Sequence, residues 1–402
     1  MNAISLALAF LRRRWGQALS AIFAGALGIG MVQMVLIAER ELPKAASQAF
    51  GGVDLVLGPK GSALDLVMCC ALHISEPRGL VPLSAAMEAL SGPMIKAKAP
   101  IALGDNYHGT RIVGTTPEIL SIYGAKLTEG TVWTESSQAL VGALVARDLG
   151  LKVGDKFVGS HGLVEGGEEH SEFPYTVTGI LAPTGSGLDR LILSSIETVW
   201  TIHHHHEADE AEEHGLPPPA EVPPAATAIL ASVKSPVALA AVPRQIDASE
   251  RFSAAVPAFE SARLARAARP VVQALLGVGI LFALVAALTA TAVLAANMAS
   301  RVRDLALLRV LGSHPWELAA IAKIEALVLS VLAFALGEGL VWVFAPPMAR
   351  FLAERDGLLI SVSPTIQDIL ILGAGTLVAS WIASLFPAIR AMRAPIETVL
   401  SP

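Results

Sequence analysis

Four long apolar stretches constrain this chain more than anything else in it. Gln17 to Ala38 is 22 residues without a charged side chain, Val271 to Asn297 and Ile369 to Phe386 carry none either, and Ala326 to Phe344 is interrupted only by Glu338. At a rise of 1.5 Å per residue, a 22-residue helix reaches roughly 33 Å, enough to cross the hydrocarbon core of a bilayer. Backbone in that medium must bond to itself, so each stretch is read as a transmembrane helix. Charged residues make up 16% of the chain, against about 25% in soluble domains, which excludes a wholly soluble enzyme. Arg12, Arg13 and Arg14 before the first stretch also suit a cleaved signal peptide. The apolar run, however, exceeds the roughly 7 to 15 residues of a signal core, and Ile37-Ala38-Glu39-Arg40 is a poor cleavage site. The expected fold is four transmembrane α-helices with a large α+β extracytoplasmic domain between the first and second.

Basic residues near span ends stay cytoplasmic. Arg12 to Arg14, then Arg301, Arg303 and Arg309, then Arg390 and Arg393 all fall on one side of a four-span arrangement. This divides the chain into residues 1–38, a cytoplasmic N-terminus and first helix; 39–269, the outer domain; and 270–402, the remaining three helices, with an outer loop from Pro346 to Asp368. Arg263, Arg266 and Arg269 lie on the wrong side, but at helical spacing and after a large translocated domain, where the charge rule is weak. Glu338 has two readings. It marks a pathway or interhelical contact within the membrane, or, near the outer end between Gly337 and Gly339, it snorkels or bonds a neighbouring helix.

The outer block holds 18 of the 29 Lys and Arg but 27 of the 35 Asp and Glu. That acidic balance argues against nucleic acid as a partner. Short apolar runs bounded by Gly and Pro, at Val53–Leu57, Gly109–Gly114, Tyr175–Leu181 and Arg190–Leu193, read as strands, and Gly58-Pro59-Lys60-Gly61 as a turn. Ser84–Leu90, Pro117–Tyr123 and Leu140–Leu149 read as helical or mixed. No Gly-Lys dipeptide occurs, so there is no Walker A loop, and neither His-Glu-x-x-His nor Gly-x-Ser-x-Gly is present. The chain is expected not to be an enzyme.

The chemically dense segment is 203–214, where His203, His204, His205, His206 and His214 stand among five carboxylates, followed by Pro217, Pro218 and Pro219. Imidazole and carboxylate together suit zinc or another divalent transition metal. Such a tract in an extended, mobile loop fits buffering or sensing; the competing reading is a solvated loop without metal. No intrinsic cofactor is otherwise expected. Cys69, Cys70 and His73 could form a smaller ligand set, but they lie in the apolar run Leu66–Leu72, which favours packing on a helix.

Between the second and third spans, Arg301-Val302-Arg303-Asp304-Leu305-Ala306-Leu307-Leu308-Arg309-Val310-Leu311-Gly312 resembles the coupling segment of the FtsX-like permease family, which includes MacB- and LolC/LolE-type ABC transporter subunits. Asp304 stands where a Glu is usual. Pro387 to Glu397 resembles the family's closing motif, and Ala139–Thr198, with Leu151-Lys152-Val153-Gly154-Asp155 and Gly185-Ser186-Gly187-Leu188-Asp189, is similar to the MacB-type periplasmic core. Asp54 to Ser62 with His73 resembles a branch that often carries His-rich insertions. The resemblance implies a non-catalytic permease subunit of the bacterial inner membrane. It also implies a separate ABC ATPase docked at Arg301, Arg303, Asp304, Leu307, Leu308, Arg309 and Gly312, a permease dimer embedded in lipid, and mechanical work on a periplasmic, outer-leaflet or lipoprotein client. The alternative is a metal-responsive transmembrane sensor that moves no cargo.

Overall fold

The computed structural model describes residues 12, 15–162, 172–203, 223–356 and 361–393. They form two compact units: residues 1–42, 267–351 and 360–402 in one, and 43–266 with 352–359 in the other.

The first unit is built on four helices long and apolar enough to cross a membrane, Trp15–Ala49, Pro257–Ala299, Pro315–Leu352 and Ile366–Met392. Each overruns the apolar stretch that announced it. The third continues through Pro346 and Pro347 to Asp356, so the outer loop expected from Pro346 onward is helical over its first part. Helix contacts depend on small residues, which let backbones approach and gain dispersion energy where lipid offers no hydrophobic driving force. A Cβ at Gly28 would sit 2.8 Å from the Ala283 backbone nitrogen, and one at Gly337 would sit 2.9 Å from the Ala26 carbonyl. Arg40 joins the first helix to the start of the fourth. Its guanidinium donates to Glu41 Oε1 at 2.9 Å, to the Ser363 carbonyl at 3.0 Å, to the Thr365 hydroxyl and to the Asp368 carboxylate. Thr365 and Asp368 also form the capping box that starts the fourth helix.

The second unit is a sheet domain. Its strands are β1 (Leu55–Pro59), β2 (Val81–Pro82), β3 (Ile95–Tyr107), β4 (Thr110–Thr115), β5 (Leu127–Gly130), β6 (Gln138–Val141), β7 (Lys156–Phe157), β8 (Ser160–His161), β9 (Tyr175–Leu181), β10 (Ile192–Ser195), β11 (Ala225–Ala226), β12 (Ala228–Val233) and β13 (Phe252–Ala255). The main sheet runs β13-β1-β12-β3-β4-β10-β6-β9-β5, with β7 added to β9 and β8 to β3, while β2 and β11 make a separate pair. β10 is parallel to β4 and β6 to β9; the other pairs are antiparallel, so the sheet is mixed.

Both faces of the sheet are covered. Val56, Ile101, Val113, Leu193 and Leu230 join one core. Their sequence neighbours Leu55, Leu57, Ile229 and Ala231 join a second, on the opposite face, with Val242 and Ile246 of helix Pro236–Ala248. Side chains alternate with period two, so two-sided burial requires runs such as Ala228–Val233 that are apolar at nearly every position. Of the strands read from the sequence, Tyr175–Leu181 is recovered to the residue and the others with shifted ends. Pro59 is the last residue of β1 and pairs with Phe252, so the stretch read as a turn is strand through Pro59 and turns only at Lys60-Gly61. The Gly185–Asp189 stretch is a structural loop: the buried Asp189 carboxylate accepts hydrogen bonds from the Thr184 and Gly185 backbone nitrogens at 2.9 and 2.8 Å and from the Thr184 hydroxyl at 2.8 Å.

Cys69 and Cys70 are buried in the first core, within a π-helical turn, Val67–Ala71. His73 follows with φ +55°. Among the described residues neither of its ring nitrogens has a hydrogen-bond partner, and burial, reinforced by the Arg111 charge, pushes its pKa down to about 3. The unfolded chain therefore takes up this proton near pH 6.5 while the folded one does not until about 3. Stability is complete above 6.5 and falls through that window by up to about 1.4 kcal/mol per pH unit. His73→Asn keeps a residue that tolerates positive φ and removes the titration. The pH dependence of unfolding between 6.5 and 3.5 is expected to become shallower by up to one proton in that variant; identical slopes in the two proteins would contradict the assignment.

Candidate functional site

The segment 301–312 divides its labour by position. Val302–Val310 is a nine-residue helix in which Leu305 and Ala306 are buried, and Leu305 packs with Met298, Leu318, Ala322 and Ala388 of the neighbouring helices. Arg301 lies just before it, buried, and its Nη1 donates to Glu325 Oε1 at 3.0 Å. The helix ends in a Schellman motif, with Ser313 N donating to the Leu308 carbonyl at 2.9 Å and Gly312 N to the Arg309 carbonyl at 3.1 Å. Gly312 sits at the left-handed position with φ +99°, which explains a glycine there without any partner protein.

What remains faces outward. Arg303 and Asp304 are exposed, and so are Leu307 (47%), Val310 (57%), Leu311 (81%) and Trp316 (68%). Leu308 and Arg309 are half-buried. Arg301 therefore departs from the expected docking set, because its charge is spent inward on Glu325. Leu305 and Leu311 lie on different surfaces, the first buried and the last 81% exposed. Trp316 was not singled out in the sequence, although an aromatic just beyond a glycine-capped turn is the kind of residue that dominates interfaces.

A second constellation lies in the sheet domain. β3 has a bulge between Leu103 and Asp105, beyond which Asp105 pairs with His161 of β8. The side chain of Asn106 holds β8 in place, donating to the Gly162 carbonyl at 3.2 Å. Helix 196–203 crosses the same strands. Val199 and His203, four residues apart on one helix face, stand over Gly114 and Gly104, where a Cβ would strike the Val199 side chain and the His203 ring respectively. The result is a fully buried Asp105 carboxylate with Oδ1 3.5 Å from His203 Nε2 and 3.9 Å from His161 Nδ1. The two imidazoles meet edge to face at 5.1 Å. One ligand atom from each of the three residues can be chosen so that all lie within 4.8 Å of one another.

This corrects the reading of the histidine tract at its first residue. His203 is half-buried in a helix against the sheet rather than in an extended loop, and its neighbours are Asp105 and His161, which the sequence reading had not grouped with it. His204, His205, His206 and His214 lie outside the described residues. Glu338 is buried, so it does not snorkel, and among the described residues neither carboxylate oxygen has a hydrogen-bond partner; the same holds for the side-chain amide of the buried Gln33.

The Arg301–Glu325 pair anchors the exposed helix, and removing one partner of a buried ion pair costs about 3–5 kcal/mol. Arg301→Ala is expected to lower the thermal midpoint of the detergent-solubilised protein by several degrees, and Arg301→Met with Glu325→Met to recover most of the loss. Equal midpoints for Arg301→Ala and the parent would show that the pair bears no load.

Comparison with known proteins follows the same division. Residues 19–249 match the family model of the MacB-like periplasmic core domain, and residues 276–396 that of the FtsX-like permease C-terminal region. No curated protein matches the sequence. Among solved structures, the periplasmic region of MacB from Actinobacillus actinomycetemcomitans is 11% identical, with 54% of this chain and 94% of that one covered and a TM-score of 0.33. The extracellular domain of the noncanonic ABC-type transporter YknZ from Gram-positive bacteria is 10% identical, with 51% and 98% covered and a TM-score of 0.30. With the first family model alone spanning more than half of the chain and the second covering the closing helices, this is a member of the MacB/FtsX-like family of ABC transporter permeases.

Proposed function

We propose that the chain is a permease subunit of the bacterial inner membrane that recruits a separate ABC ATPase at segment 301–312, dimerises within the bilayer, and converts nucleotide-driven movement into mechanical work of its outer domain on a periplasmic or outer-leaflet client. The observation that carries this reading is the exposed surface of the short helix and its turn. Leu307, Val310 and Leu311 offer apolar area beside Arg303 on an element whose other face is pinned by Leu305 and Arg301. A monomer has no reason to expose several large apolar side chains beside a charged rim outside its spans, and such a patch is what a partner buries. The docking set is then Arg303, Asp304, Leu307, Leu308 and Arg309, with Arg301 and Gly312 positioning the helix. Membership of the family does not favour the sensor alternative.

Exchanging Arg303 and Arg309 for Glu introduces repulsion toward an acidic acceptor surface, which costs several kcal/mol at an interface. The double variant is expected to insert into the membrane normally and to lose most of its copurifying ATPase. Undiminished copurification together with full ATPase stimulation would remove this segment from the interface.

A further inference from the structure

We propose that Asp105, His161 and His203 form a fixed site for one divalent transition-metal ion of the zinc class, built into the sheet domain and independent of the rest of the histidine tract. Three separate elements deliver the ligands: the bulged strand β3, its partner β8 and helix 196–203. Their donors are two imidazole nitrogens and one carboxylate oxygen, a set that suits zinc and other first-row divalent transition metals while leaving a coordination position open. Around a tetrahedral ion with bonds of about 2.0–2.1 Å, neighbouring donors stand about 3.3 Å apart. The separations of 3.5 Å and 3.9 Å from Asp105 Oδ1 are already close to that value, and one donor from each residue lies within 4.8 Å of the other two.

The surroundings support the assignment. Gly104, in the bulge, leaves the space that the His203 ring fills. Asn106 fixes β8 from the next position along β3 by donating to the Gly162 carbonyl, while the Ser160 hydroxyl donates back to the Asn106 carbonyl at 3.3 Å. Such outer contacts orient ligands before the ion arrives. The His161 and His203 side chains are partly exposed, while the Asp105 oxygens and His161 Nδ1 are themselves buried.

The test uses the full chain in lipid nanodiscs with His204, His205, His206 and His214 replaced by Asn, so that the remaining tract cannot contribute. Zinc chloride titrated by calorimetry should bind at one equivalent per chain, and cobalt chloride should give the visible absorption of a four- or five-coordinate nitrogen–oxygen site. Adding His161→Asn, a substitution at a partly exposed position that leaves the core intact, should weaken zinc binding at least tenfold, as should the isosteric Asp105→Asn. Zinc should raise the thermal midpoint of the tract-silenced chain but not of its His161→Asn derivative. Absence of zinc uptake by the tract-silenced chain, or affinity unchanged by both substitutions, would overturn the proposal.

Discussion

Hydrocarbon admits no unpaired backbone, and that constraint organises everything else in this protein. It makes helices of Trp15–Ala49, Pro257–Ala299, Pro315–Leu352 and Ile366–Met392 before any side chain is considered. It also confines the remaining polar chemistry to what lies between and beyond them. Inside the helical unit, small residues bring the helices together, and the Arg40 cluster with Asp368, Thr365 and Ser363 ties the first to the fourth. The outer residues must fold by a different rule, and they do so around a mixed sheet covered on both faces.

The short helix Val302–Val310 illustrates how a family motif resolves into physics. Arg301 pairs with a buried carboxylate, Leu305 joins a core, and Gly312 ends the helix in a left-handed cap. Of the intervening positions, Arg303, Asp304, Leu307, Val310 and Leu311 are exposed. A motif of twelve residues thus holds two kinds of constraint, one that fixes an element in place and one that presents a surface. Substitutions at the two classes should fail in different ways, the first through stability and the second through association.

The spans were legible because their signal is a long absence of charge, which no alternative fold tolerates. Tyr175–Leu181, with its clean alternation and flanking turn residues, was legible as a strand to the residue. β3 was not, although it is the longest strand, because Lys96, Lys98, Pro100 and Gly104 break its apolar pattern and its bulge shifts the side-chain period midway. The same bulge hid the Asp105–His161–His203 constellation, whose members are separated by 56 and 42 positions in the sequence. A glycine inside a strand pattern, followed directly by Asp, was the available local sign of a close approach, but nothing local to His203 marks it as packed over that glycine. The histidine run drew attention to its composition, whereas the geometry depends on its first member alone. Arg301 shows the converse: resemblance placed it in a functional segment, and only its burial distinguishes anchor from contact.

The central claim is that the outward face of segment 301–312 meets an ATPase, and site-specific photocrosslinking tests it most directly. A photoreactive phenylalanine analogue placed at Leu311, which is 81% exposed, and at Leu305, which is 1% exposed, would be activated in native membranes and the adducts identified by mass spectrometry. The account predicts an adduct with an ABC ATPase from Leu311 and none from Leu305. A permease that retains its ATPase by copurification yet gives no such adduct from Leu311 would contradict it.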